Sequence, residues 1–333
     1  MKPVAVLIPT FRRPESLEVA LRSVLAQDDL ARLVEEIVVV DNDPQGSARA
    51  TVERLSQEDS AIFYVHAPEP GVSNARNAGL AATSAPLVAF LDDDEEAPSH
   101  WLATLYAAHT TFAADVTFGP VRGRAGAAAD WKRPHLERFF SREGPAESGV
   151  TDTVHGCGNS MMTRATALAG PAPFDVRANE TGGEDDRLFE ALQATGRRFA
   201  WASDAWVWEH APESRQTARY ALARAFGYGQ TPAQIAARAR NWPGVAKWMV
   251  VGVAQATMFG LIALAMTSVG FARALPFADR AARGLGKLVW FKTLRFYGRA
   301  GVKAKSSSSS ASSSSADRSG SPSLNAMAAK ITQ

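Results

Sequence analysis

"PVAVLIPTFRRPESLEVALRSVLAQDDLARLVEEIVVVD" occupies residues 3–41 and holds two short Val/Ile-rich runs, 3–9 and 36–41, on either side of "SLEVALRSVLAQ". Continuous apolar runs of that length read as strands covered on both faces. Between them Leu17, Leu21, Val24 and Leu25 recur at helical spacing and share one face. A strand, a helix and a strand in that order make a right-handed parallel crossover.

The rhythm continues downstream. "AIFYVHA" (61–67) reads as a strand, "SNARNAGLAATS" (73–84) as a helix capped by Ser73, and "APLVAFLD" (85–92) as a strand. The whole is a doubly wound α/β sheet, which binds ligands beyond the carboxyl ends of its strands. Asp41 and Asp92 to Asp94 all fall at that edge. From about residue 115 the pattern loosens into Gly- and Ala-rich loops, then resumes with "GGEDDRLFEALQATG" (182–196), a helix opened by glycines and closed by Gly196. This middle section is expected to complete the same domain and to supply the second wall of a cleft.

At the sheet edge, "VAFLDDDEEAPSHW" (88–101) sets three aspartates and two glutamates directly after an apolar run. Two unit charges ~4 Å apart at an effective dielectric of ~20 repel by about 4 kcal/mol, so such a cluster calls for a cation. In an extended segment Asp92 and Asp94 share one face and Asp93 the other. Two hard oxygen ligands aimed into a cleft suit Mg²⁺ or Mn²⁺, with water and substrate phosphates filling the remaining positions. A solvated acidic loop is the alternative.

The chain has 333 residues, a net charge of +2 and 46% hydrophobic content. That size is ample for a buried core. The balanced charge, with no zinc-finger, recognition-helix or RNA-binding signature, gives no reason to expect nucleic acid. One cysteine, Cys157, rules out an intrachain disulfide and suits a reducing compartment. The N-terminal apolar run is too short for a secretory signal and reads as a first strand, which places the domain in the cytosol.

From Trp248 to Ala272 no residue is charged, a stretch of 25 positions, longer than the ~20 needed to cross a bilayer. "GLGKLVWFKTLRFYGR" (284–299) follows with basic and apolar residues interleaved, as in an amphipathic helix at a lipid surface. Arg238, Arg240 and Lys247 precede the apolar stretch, so a single crossing would export one basic cluster against the positive-inside tendency. A hairpin, re-entrant or in-plane attachment to the cytosolic face of the membrane is therefore expected. The expected division is an α/β domain over 1–235, membrane-associated helices over 236–304 and a Ser-rich, disordered tail over 305–333.

The segments "VLIPTFRRPESLEVALRSVLAQ", "IVVVDND", "GVSNARNAGL", "FLDDDE" and "GGEDDRLFEAL" resemble, in order and approximate spacing, the inverting family 2 glycosyltransferases. "DNDPQGSA", "FLDDDEEAPSHWL" and "WEHAPESR" are most similar to the bacterial exopolysaccharide enzymes of the succinoglycan type. The resemblance covers about residues 3–230 and implies the GT-A fold, a doubly wound mixed sheet. It also implies roles. Pro9, Thr10, Arg12, Asp41, Arg76, Asp92 and Asp93 would bind the donor nucleotide and diphosphate. Asp94 and Asp92, with Glu209 or the adjacent His210, would form the site of a divalent metal, Mg²⁺ or Mn²⁺. Asp185 would be the general base, and Glu184, Arg215 and Asn159 would contact the acceptor or the diphosphate.

The implied reaction transfers one sugar from a nucleotide-diphosphate sugar, uridine being the commonest base in the family, to a saccharide or lipid-linked saccharide acceptor at the cytoplasmic face of the inner membrane. "QTARY" (216–220) is similar to the Gln-x-x-Arg-Trp signature of processive synthases, but Tyr220 replaces the tryptophan, which favours single additions. Gly227 in "RAFGYG" stands where the subgroup is often basic. Trp101, Trp131 and Trp201 are candidates for stacking on sugar, with core packing as the rival reading. A nucleotidyltransferase would need a Gly-rich N-terminal loop that "IPTFRRPESL" lacks, and no P-loop motif exists in the chain. The remaining alternative is a catalytically inactive, membrane-tethered sugar-nucleotide binder or scaffold, against which stands the presence of Asp92, Asp94 and Asp185 together.

Overall fold

The computed structural model describes residues 2–179 and 182–292. Its strands are β1 (Val4–Thr10), β2 (Val34–Asp41), β3 (Ile62–His66), β4 (Leu87–Phe90), β5 (Glu95–Glu96), β6 (Val116–Phe118), β7 (Val121–Arg124), β8 (Gly149–Val150), β9 (Ser160–Thr163), β10 (Phe199–Trp201) and β11 (Val207–His210). Its α-helices are α1 (Pro14–Leu25), α2 (Leu30–Leu33), α3 (Arg49–Ser56), α4 (Val72–Ala81), α5 (Trp101–Thr111), α6 (Arg133–Phe140), α7 (Arg164–Ala167), α8 (Glu184–Ala194), α9 (Ala218–Arg238), α10 (Trp242–Thr267) and α11 (Phe271–Leu288).

Eight strands form one sheet in the order β3-β2-β1-β4-β9-β6-β10-β8. The β3-β2-β1-β4 half is parallel, β9 runs antiparallel between β4 and β6, and β10 is again parallel to β6. The middle of the chain thus completes the first sheet. A second sheet, β5-β11-β7, sits at its edge. Apolar side chains cover both faces of the main sheet: Leu17, Leu21 and Val24 of α1 join Val6, Ile8 and Val39 in one core, while Leu80, Phe189 and Leu192 join Leu7, Val38 and Phe118 in the other. Burial on both faces is why these strands read as unbroken apolar runs.

Two local expectations need correction. Ser73 lies one residue inside α4 and does not cap it. The cap position is Gly71, at φ 147°, where a Cβ would stand 2.2 Å from Asn179. Asn179 takes over the capping role from a distance, its Oδ1 accepting from the backbone N–H of Ser73 at 2.9 Å. Nor do the acids after β4 continue as a strand: the N–H of Glu95 donates to the carbonyl of Asp92 at 3.0 Å, closing a tight turn. The alternation expected for Asp92, Asp93 and Asp94 is lost with it.

At the C-terminal end α9 runs unbroken through position 235 to Arg238, joining the sheet domain to α10 and α11. The uncharged stretch is divided: α10 ends at Thr267, and α11 begins at Phe271 after Gly270 at φ 135°. The Ser-rich tail and the last part of the expected amphipathic segment, from residue 293 on, lie outside the described residues.

Candidate active site

The carboxyl ends of β1, β2 and β4 meet at one edge, with Thr10 level with Asp41 in the β1–β2 register. The turn after β4 delivers four acids there, and three arginines from distant parts of the chain hold them. Arg13, next to α1, donates to Asp93 at 2.9 Å and Asp94 at 2.6 Å. Arg76 of α4 donates to Glu184 at 2.7 Å and stands 3.6 Å from Asp92. Arg142, in the loop after α6, bridges Glu95 at 3.0 Å and Glu209 at 3.2 Å. The cations at the acidic turn are therefore, in the first instance, the protein's own.

Each ion pair joins parts that the fold must align. Through Arg13 the end of β1 is tied to the turn, where Thr10 Oγ1 also donates to Asp93 at 2.7 Å. Through Arg76 the turn is tied to the first residue of α8, and through Arg142 to β11. Gly158 makes the crowding possible: a Cβ there would lie 2.5 Å from Asp92 Oδ2 and 3.0 Å from Glu95 Oε1. Asp185, the next residue of α8 after Glu184, is half-buried, its Oδ2 accepting from the backbone N–H of Cys157 at 3.2 Å. Arg215 lies near enough to Glu209 to favour its charged form.

Negative charge remains in excess. Burial, with like charge from neighbouring acids, pushes Asp93 up to about 6 and Glu209 up to about 7, in spite of Arg13 and Arg142 respectively. Burial also pushes Glu95 and Glu184 above the usual carboxylate range. Such a site favours an incoming cation. Among the described residues, however, no three His, Cys, Asp or Glu side chains converge as a ready-made metal site. Glu209, the third expected ligand, pairs with Arg142 at 3.2 Å and lies near enough to Asp94 and Asp92 for their charges to raise its pKa. Mg²⁺ takes only one or two carboxylates and completes its shell with water and phosphate oxygens, so Asp92, part-exposed, and Asp94, which also pairs with Arg13, are the residues that would hold such an ion.

Other expected residues fall into two groups. Pro9 is half-buried and Arg12 is exposed at the strand ends; Arg12, at φ 57°, turns away from the acids and donates to Asp43 at 3.0 Å. Asp41 has no exposed surface, because its carboxylate accepts from the N–H groups of Asp43 and Ala48 and from the Tyr64 hydroxyl. Those bonds fix the loop after β2 around it. Asn159 is fully buried: it accepts from the Trp101 indole at 2.7 Å and donates to the carbonyls of Pro120 and Ala205, so it braces the core.

Trp101 and Trp201 belong to that core too, and half-exposed Trp131 packs beside Phe271. Cys157 is buried, its thiol pushed up by burial. His210 faces Glu96 at 2.7 Å, on the opposite side of β11 from Glu209. Sequence reasoning missed Arg13, Arg142 and the buried role of Glu95. The Arg12-Arg13 doublet beside Pro14 was a usable signal for the first; nothing local marks Arg142.

Among solved structures, that of S. aureus TarS 1-349 shares the fold, with a TM-score of 0.52 over 89% of this chain and 93% of that one at 16% identity. The mixed sheet resembles that of the GT-A glycosyltransferases. The family model described as Glycosyl transferase family 2 matches residues 5–168. The succinoglycan biosynthesis protein ExoM of Rhizobium meliloti (strain 1021) is 36% identical over 230 residues, 68% of this chain and 73% of that protein. A GalNAc(5)-diNAcBac-PP-undecaprenol beta-1,3-glucosyltransferase of Campylobacter jejuni is 36% identical over 109 residues, about a third of each chain (32% and 34%). The chain belongs to glycosyl transferase family 2.

Proposed function

We propose that this protein is an inverting transferase that moves one sugar from a nucleotide-diphosphate donor, a uridine one, to a hydroxyl of a lipid-linked saccharide in exopolysaccharide or related glycan synthesis. The observation that carries the reading is the Asp92–Arg76–Glu184 chain, which locks the acidic turn to the first turn of α8 and so sets Asp185 beside it. The names of the two relatives support the pathway and the carrier.

In this reading Asp185 takes the proton of the acceptor hydroxyl as its oxygen bonds to the anomeric carbon. The bond from that carbon to the diphosphate breaks, and the leaving oxygen keeps the electron pair. A divalent ion on Asp92 and Asp94 would act as a Lewis acid toward that leaving group. Arg76 and Arg142 hold the acids at the spacing they have in the fold, so that little reorganisation is needed during the reaction. Apolar helices at the C-terminal end support attachment to the cytoplasmic face of the membrane, where lipid-linked acceptors lie.

The test is donor binding and slow hydrolysis across a panel of nucleotide sugars, with Mg²⁺ or Mn²⁺ and then with chelator. One donor turned over only with metal supports the reading; turnover unaffected by chelator removes the metal from it. Asp185→Asn should lower transfer by roughly 10²–10⁴-fold with donor binding kept. Full activity in the variant would return the protein to the class of sugar-nucleotide binders.

A further inference from the structure

The helix α10 is 26 residues long, and its most apolar window has a mean hydropathy of 2.0 with 6% buried, enough by length and composition to cross a membrane. Its packing argues otherwise. α11 runs back along α10, with Lys287 Nζ donating to Gln255 at 2.8 Å, Gly284 against Ala256 and Gly252, and Phe277 stacked on Phe259. The contacts descend in number on α11 as they rise on α10, which defines an antiparallel pair in contact over most of its length.

The other side of α11 lies on the sheet domain and α9 from end to end. Phe271 meets Trp131 at 6.2 Å, Asp279 stands 3.9 Å from His135 of α6, and Arg283 covers the Tyr228 ring of α9 at 5.5 Å. Further along, a Cβ on Gly286 would come within 2.1 Å of the Phe226 carbonyl, and the Gln230 amide donates to the carbonyls of Val289 and Lys292. A bilayer cannot enter where a folded domain already sits. If α10 stood upright in the membrane, its partner would take Arg273, Asp279, Arg280, Arg283 and Lys287 through the hydrocarbon and the catalytic domain with it.

We propose that α10 lies in the plane of an anionic bilayer, sunk by the face that carries Val250, Val253, Leu261 and Leu264, with α11 as a layer between it and the catalytic domain. Those four side chains are exposed and recur on the side of α10 turned from α11. The occupant follows from charge: residues 236–292 contain eight Lys and Arg and a single acid, Asp279, itself paired with Arg283. Lipid headgroups of negative charge match that excess, and apolar α10 matches the acyl layer beneath. The inference rests on the membrane attachment proposed above and specifies its geometry: both ends of α10, and the turn at Ser268, stay on the catalytic side.

Sidedness tests it. Full-length chains carrying Ser268→Cys, or Asp204→Cys at an exposed position between β10 and β11 of the sheet domain, each keeping the buried Cys157, would be treated with a membrane-impermeant maleimide in spheroplasts and in inside-out vesicles from expressing cells. The expected result is labelling of both positions from the same face, with Leu264→Cys labelled only after detergent. Labelling of Ser268→Cys from the face opposite Asp204→Cys means that α10 crosses, and labelling from neither face means a re-entrant hairpin; either result overturns the proposal. The purified chain should also float with protein-free phosphatidylglycerol–phosphatidylethanolamine vesicles. Membrane recovery in cells without flotation would assign the α10 face to a protein partner, and absence from cell membranes would remove the attachment itself while leaving the transferase reading intact.

Discussion

At the scale of single residues, the site is a set of buried acids that arginines make tolerable. Arg76 shows the energetics: it is 4% exposed, and its partner Glu184 is 7% exposed. Replacing Arg76 with Ala leaves Glu184 buried without its cation, which costs about 3–5 kcal/mol. A lowered denaturant midpoint with unchanged slope would show it; an unchanged midpoint would mean that the pair does not hold the two halves together. Gly158→Ala should behave differently. Its Cβ meets carboxylate ends, which can swing aside at small cost to folding. Since Asp92 is one of the groups displaced, the expected loss is in catalysis, about a hundredfold in kcat/KM, with little change in the unfolding midpoint. A stability loss with normal activity would contradict that assignment.

Among the elements, α5 carries a histidine that reports on how the sheet is held. His109 is buried, with one ring nitrogen 2.9 Å from Thr117 Oγ1 on β6 and the other 2.9 Å from Thr163 Oγ1 at the end of β9. Burial lowers its pKa from 6.5 to about 4. Above pH 6.5 the ring is neutral in both folded and unfolded chains, so its contribution is complete there. Between 6.5 and about 4 the unfolded chain takes up a proton that the folded one refuses, and stability falls by up to about 3 kcal/mol. His109→Asn should flatten that part of the stability–pH curve; an unchanged slope would place the acid sensitivity elsewhere. The same element marks where sequence reading succeeds and fails. The parallel strands and α1, α4 and α8 were legible because burial on a sheet leaves a period in the residues. The role of Asn159 was not, since bracing Trp101 to the carbonyls of Pro120 and Ala205 depends on loops with no periodicity. Arg142 was invisible for the same reason: its two partners, Glu95 and Glu209, are 47 and 67 residues away. The acidic turn was found by composition but misread in conformation, because a four-residue turn and a strand end look alike until the Glu95 to Asp92 hydrogen bond is known.

For the whole molecule, the two ends of the structure make different demands on solvent. The sheet domain needs a polar edge open to a charged donor, while α10 needs its exposed apolar face covered. In-plane attachment satisfies both, and it predicts a particular response to salt. Exposed charges act over a Debye length of about 10 Å at ~0.1 M salt and only about 3 Å at ~1 M. The attraction of Arg and Lys to anionic headgroups, about 1 kcal/mol for each residue near the surface, should therefore fade over that range. Burial of the α10 face in acyl chains should not. Vesicle affinity is thus expected to fall as salt rises and then to level off at a plateau equal to that for neutral vesicles. Complete release at high salt would show that only the basic residues touch lipid. Affinity that ignores both salt and lipid charge would leave the eight basic residues with no part in docking, and α10 alone would hold the enzyme at the membrane.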